Sequence, residues 1–149
     1  MFVQFLLGSD SDREFAGKIT KVLDEFDLKY DLKVASAHKV PEKVIEIIEA
    51  NNAKTEALCY ITIAGRSNGL SGVTAGSANH PVIACPPFKD KEDYAINIHS
   101  TLQMPSDTPV LTVIDPVNAA LCAARILALT DEDLKAKLVD RIKKVKEKF

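Results

Sequence analysis

Three short segments hold most of the side chains that could do chemistry: Gly8-Ser9-Asp10-Ser11-Asp12, Ser36-Ala37-His38-Lys39 and Gly65-Arg66-Ser67-Asn68-Gly69. Small hydroxyls and glycines with free backbone N–H groups suit a phosphate, Lys39 and Arg66 add positive charge, and Asp12 can accept from sugar hydroxyls. Together they fit a phosphorylated ribose better than a bare acid, although Ser9 and Ser11 taken alone also have a helix-capping explanation. His38 stands among these groups, and an imidazole there can exchange a proton near neutral pH. His80, just before Pro81, reads as a loop residue and His99 as a helical one, both structural. The first loop is neither a P-loop nor a Gly-x-Gly-x-x-Gly turn, so ATP and NAD lack sequence support. No Gly-x-Ser-x-Gly elbow is present, and no histidine pair or histidine–cysteine pair has metal-ligand spacing, so neither a hydrolase nucleophile nor a metal site is expected.

The elements that must position these loops follow from the alternation of apolar runs with amphipathic segments, the pattern of β-α-β units on a parallel sheet. Phe2 to Leu7, Leu28 to Ala35, Leu58 to Ala64, Val82 to Cys85 and Val110 to Ile114 read as five strands. The first three end at the three polar segments, and ligands of an open parallel sheet bind beyond the carboxyl ends of its strands. Ser11-Asp12-Arg13-Glu14 has capping-box form ahead of a helix with Phe15, Ile19, Val22, Leu23 and Phe26 on one face. Pro41 opens a second helix with Val44, Ile45 and Ile48 inward, while Gly65 to Gly72 reads as loop. Tyr94 to Met104 reads as helix, and Asp115-Pro116 caps another that runs through Leu129. That helix is apolar nearly all round, which predicts cover on more than one side and hence an oligomer. Thr130-x-x-Asp133 starts a last amphipathic helix, 130–149, with Leu134, Leu138, Ile142, Val145 and Phe149 in register; it is expected to extend onto a neighbouring subunit. The expected architecture is one domain, 1–149, a three-layer α/β/α sandwich.

The 149 residues suit a single core, and 46% hydrophobic with 27% charged residues is ordinary for a globular protein. Nineteen basic and 21 acidic residues leave a formal charge of −2, which offers nucleic acid no general attraction. The longest apolar runs fall far short of the roughly 20 residues of a membrane-crossing helix, and the N-terminus does not read as a signal peptide. Cys59, Cys85 and Cys122 are odd in number and set among apolar residues, as reduced core thiols of a cytoplasmic protein would be.

In combination, order and spacing, the three loops resemble those of the phosphoribosylaminoimidazole carboxylase (PurE) family. The likeness continues through Ala84-Cys85-Pro86-Pro87, Ser100-Thr101-Leu102-Gln103-Met104-Pro105 and Asn118-Ala119-Ala120 to Leu127, about residues 4–129. It implies a flavodoxin-like sheet, a homo-octamer with sites at subunit contacts, and a small-molecule substrate, with no nucleic acid or membrane partner. The mutase branch of the family usually carries Ser-Ala-His-Arg and a histidine in its third loop. Lys39 and Arg66-Ser67-Asn68 depart from that and are similar to the direct carboxylase branch. The implied reaction is therefore reversible carboxylation of 5-aminoimidazole ribonucleotide (AIR) by carbon dioxide to 4-carboxy-5-aminoimidazole ribonucleotide (CAIR), without ATP, biotin, metal or other cofactor. The resemblance implies His38 as acid–base, Ser9, Ser36 and Arg66 at the phosphate, Asp12 at the ribose, and Lys39, Ser67 and Gly69 at the carbon dioxide or carboxylate. Which of the two cations, Lys39 or Arg66, faces which anion stays open. The alternatives are the N5-carboxyaminoimidazole ribonucleotide mutase and, from another class, a non-catalytic module that binds phosphoribosyl ligands.

Overall fold

Side chains alternate along the central strands, and the alternation divides the interior in two. A computed structural model describes residues 1–149 and contains β1 (Phe2–Leu7), β2 (Tyr30–Val34), β3 (Leu58–Ile63), β4 (Val82–Ala84) and β5 (Leu111–Thr112). They form one parallel sheet in the order β2-β1-β3-β4-β5, with Leu7 beside Ile63 and Val34 at the carboxyl edge. Val3, Phe5, Leu7, Cys59, Ile61 and Ile63 point to one face, and Gln4, Leu6, Leu58, Tyr60 and Thr62 to the other. The helices are α1 (Arg13–Asp24), α2 (Pro41–Asn52), α3 (Gly69–Ser77), α4 (Lys91–Asn97), α5 (His99–Leu102), α6 (Pro116–Leu127) and α7 (Glu132–Lys146). α1, α6 and α7 cover the first face and bury a 22-residue apolar cluster, whereas α2 and α3 cover the second over a cluster of nine. The result is the flavodoxin-like α/β/α sandwich, and none of its helices is long and apolar enough to cross a membrane.

The departures from the expected elements have local causes. The capping box forms two residues earlier than read: Ser9 is the N-cap and Asp12 its N3 partner, around a 3-10 turn, Asp10–Asp12, that leads into α1. The segment after Arg66 is not loop to Gly72, because α3 begins at Gly69 with Asn68 as its cap. The stretch read as one helix from Tyr94 begins earlier, at Lys91 under an Asp90 cap, and divides into α4 and α5. β5 is only two residues long.

The last helix packs one face on its own chain. In α7, Leu134 and Leu138 are buried in the larger cluster, Lys137 Nζ donates to the Phe26 carbonyl and pairs with Asp27, and Arg141 pairs with Glu25. Its outer residues Val139, Ile142, Val145 and Phe149 remain exposed. α6 is likewise covered on one side only. Ala119, Ala120, Ala123, Ala124 and Leu127 are buried, while Leu121, Cys122 and Ile126 line an open depression of about 410 Å³. All three cysteines are free, and burial pushes the Cys59 and Cys85 thiols up to about 12, so both are neutral at physiological pH.

Candidate active site

The strand order reverses between β1 and β3, so the loops leaving these two strands diverge to opposite faces and open a crevice at their carboxyl ends. That crevice is a cleft of about 780 Å³. Ser9 and Asp12 enter it from the β1 loop, Ser36, His38 and Lys39 from the β2 loop, and Arg66 and Ser67 from the β3 loop. Seven of the eight residues singled out from the sequence thus line one cavity. The eighth, Gly69, lies against the His38 ring instead: a Cβ there would stand 3.1 Å from Nε2 and 3.2 Å from Cε1. Its N–H donates to the Ser67 carbonyl (2.6 Å) and is not free for a ligand. His80 lies away from the cleft, with its ring 6.5 Å from that of Tyr60, and His99 opens α5 outside the cleft lining.

Each loop is held differently. In the first, the Ser9 N–H donates to Asp12 Oδ2 (2.9 Å), the Ser11 hydroxyl donates to Ser9 Oγ (2.9 Å), and the Ser11 N–H reaches the same oxygen (3.3 Å). Burial raises the Asp12 carboxyl above its ordinary value, partly offset by the Ser9 N–H. In the second, Lys39 and Val40 N–H groups donate to the Ser36 carbonyl, a turn that presents His38 at its apex before Pro41 starts α2. In the third, Ser67 has a φ of 42°, left-handed for a non-glycine residue, and Asn68 follows at φ −68°, ψ 64°, the centre of an inverse γ-turn closed by Gly69 N–H. Close approach also shapes the floor, since a Cβ on Gly65 would lie 2.7 Å from the Pro87 carbonyl oxygen.

Two ionic residues of the lining, Lys89 and Asp93, have no counterpart among the sequence candidates. Lys89 lies on the loop after β4 and Asp93 in the first turn of α4, both brought to the cleft because β4 pairs with β3. The Lys89 N–H donates to Asp93 Oδ2 (3.0 Å) and the Asn97 amide to Oδ1 (2.6 Å). The Lys89 backbone, above all, with help from Asn97 and the Arg66 and Lys89 charges, holds the Asp93 carboxyl below the ordinary carboxylate range. The cleft therefore offers three cations, Lys39, Arg66 and Lys89, against two carboxylates, with one imidazole and several hydroxyls. That donor set suits a polyanionic small molecule bearing a polar sugar.

A doubly wound α/β protein with a cationic, hydroxyl-rich cleft at its topological switch point is thus a small-molecule enzyme by fold and site. The comparisons with known proteins give the family. A family model described as AIR carboxylase matches residues 2–148, and the chain belongs to that family. A phosphoribosylaminoimidazole carboxylase of Archaeoglobus fulgidus is 42% identical over 90% of this chain and 73% of its own length. An N5-carboxyaminoimidazole ribonucleotide mutase of Methanocaldococcus jannaschii is also 42% identical, over 96% of this chain and 89% of its own. The crystal structure of Treponema denticola PurE superposes with a TM-score of 0.94 at 39% identity, covering 99% of this chain and 92% of that one. The protein is accordingly an enzyme of the AIR carboxylase and mutase group in purine biosynthesis, and its relatives carry both names.

Proposed function

We propose that the enzyme carboxylates AIR directly with carbon dioxide. The observation that carries this reading is the composition of the cleft: His38 is its only imidazole, and the third loop brings Arg66 and Ser67 in place of a second histidine. The aminoimidazole ring is an electron-rich enamine whose carbon can attack carbon dioxide once both are held together away from bulk water. A carbon–carbon bond forms, one C=O electron pair moves onto the new carboxylate, and the ring carbon is left tetrahedral with its proton. His38 Nε2, at the cleft wall over Gly69, takes that proton, aromaticity returns, and the imidazolium gives the proton to solvent. The reverse reaction uses the same imidazole as acid.

Ser9, Ser36 and Arg66 hold the phosphate in this reading, Asp12 accepts from the ribose hydroxyls, and Lys39 with Ser67 steadies the carboxylate. Gly69 contributes the space its missing side chain leaves for His38. The open apolar side of α6 we assign to contacts between copies, in the octamer that the family resemblance implies, and the mass of the full chain in solution checks this. The function is tested by supplying AIR and dissolved carbon dioxide without ATP, beside a parallel assay with N5-carboxyaminoimidazole ribonucleotide. Turnover of the first alone is expected; turnover of the second alone would move the enzyme to the mutase reaction. Turnover of neither would leave a binding module. His38→Asn is expected to lower turnover at least a hundredfold, within the range roughly 10²–10⁴ of general acid–base catalysis, with ligand affinity little changed.

A further inference from the structure

We infer that Asn68 is a positioning residue and that α5, through Ser100 and Thr101, is the platform that sets the third loop of the active site. The inference rests on the cleft being the reaction site. Asn68 is 3% exposed, and its backbone N–H, side-chain oxygen and side-chain amide are all hydrogen-bonded. Its Oδ1 accepts from the Ser71 N–H (3.2 Å) and the Ser71 hydroxyl (2.9 Å), and its Nδ2 donates to Thr101 Oγ1 (2.9 Å). Its backbone N–H donates to Ser100 Oγ (3.0 Å), whose hydroxyl donates on to the Asn97 carbonyl (3.0 Å).

Ser71 in turn shares a 2.7 Å hydrogen bond with Thr62, and because Ser71 donates to Asn68, Thr62 is the donor in that pair. Thr62, Ser71 and Thr101 are no more than 1% exposed, so each bond acts where water cannot replace it. The loop thus has two anchors, one on its own strand β3 and one on α5, which lies about 30 residues away in sequence. Between them stands the backbone that has most need of a clamp: Ser67 at φ 42°, then the γ-turn at Asn68, then Gly69 under the His38 ring. A shift of Asn68 moves Ser67 and Arg66 on one side and the seat of His38 on the other. The same chain of bonds closes on the cleft, since the Asn97 amide holds Asp93, which faces Arg66. This gives Ser100-Thr101 a task that no contact with substrate would supply, as neither residue lines the cavity.

The test compares Thr101→Val, which keeps the shape but leaves the Asn68 amide without its acceptor, with Thr101→Ser, which restores the hydroxyl. Both are assayed for kcat and KM with AIR and with the N5-carboxylated compound, and for hydrogen exchange of the 66–71 amides. For Thr101→Val the expected result is a fall of about tenfold in kcat/KM, below the hundredfold that a 1 Å misplacement can cost, with faster exchange confined to 66–71. Thr101→Ser should recover both. A valine variant that loses thermal stability but keeps wild-type kcat, KM and local exchange would overturn the inference and leave Thr101 a packing residue. If the wild type turns over neither compound, the proposed function fails by itself, and the exchange comparison still decides whether α5 holds the loop. Should Thr101→Val not fold, Ser100→Ala, which removes the second anchor, is measured in the same way with the same two outcomes.

Discussion

The two faces of the sheet are built on different principles. Against α1, α6 and α7 the interior is hydrocarbon and thiol: Phe5, Ile61, Ile63, Leu23, Leu127 and their neighbours, without a buried polar side chain. Against α2, α3 and α5 lie all seven buried polar residues, Gln4, Asn51, Thr62, Asn68, Ser71, Thr74 and Thr101, over a smaller apolar cluster. Many of them bond one another, as Gln4 does with Asn51 and Thr62 with Ser71. Hydrocarbon contacts are non-directional and tolerate small rotations, whereas hydrogen bonds fix distance and angle. One face therefore holds the molecule together and the other aims the third loop, and substitutions should separate the two duties.

The largest effect is expected on the apolar face. Ile61 is fully buried at the centre of β3, and Ile61→Ala removes about 2–5 kcal/mol of stability by lost transfer energy and residual cavity. Its kcat and KM, measured on folded protein at low temperature, should stay within a factor of two of wild type. The next residue gives the contrast. Thr62 points to the opposite face, and Thr62→Val deletes the 2.7 Å bond to Ser71 at a cost of about 1 kcal/mol. Here turnover should fall several-fold, because Ser71 loses the donor that fixes it beneath Asn68. Denaturant melts beside steady-state kinetics for the two neighbours decide the matter. If Ile61→Ala changes kcat as much as Thr62→Val does, the division of labour between faces is wrong.

The same contrast explains what could be read from sequence. Apolar runs such as Leu58-Cys-Tyr-Ile-Thr-Ile63 announce a buried strand, and the 3.6-residue spacing of Ile19, Val22 and Leu23 announces α1. The three loops that meet at the cleft were legible because a parallel sheet delivers all its strand ends to one side. α3 was not. Gly69-Leu-Ser-Gly-Val-Thr-Ala-Gly-Ser77 holds three glycines and no charge, and only the Asn68 cap and burial of Leu70, Ser71, Thr74 and Ala75 make it helical. Lys89 and Asp93 were equally hidden, since nothing local says that the β4 loop reaches the cleft until β4 is known to pair with β3. In the first loop two Ser-x-x-acid patterns overlap, Ser9 to Asp12 and Ser11 to Glu14, and spacing alone does not choose between them. For α7 the periodicity found the helix but not its partner: Leu134 and Leu138 stay home while the outer stripe stays bare.

The smallest effect is expected at the rim, where site and stability oppose one another. Burial raises the Asp12 carboxyl, so the folded protein holds that proton more tightly than the unfolded chain does. The sign follows: below the ordinary value of 3.8 the carboxyl is neutral in both states and costs nothing, and as the pH rises through the folded value the ionised form destabilises the fold. Asp12→Asn removes that charge and leaves an amide oxygen to accept the Ser9 N–H that Oδ2 now accepts at 2.9 Å. The variant should therefore be slightly more stable than wild type at pH 7, with the advantage shrinking toward pH 4, as urea midpoints across that range would register. It should also bind AIR more weakly, because an amide presents the ribose hydroxyls with half the acceptor capacity of a carboxylate. A variant less stable at pH 7 would show that Ser9 gains more from the charge than burial takes away. A variant more stable and equally tight would place Asp12 outside the ribose site, since a carboxylate kept at a cost in stability is expected to do something for the ligand.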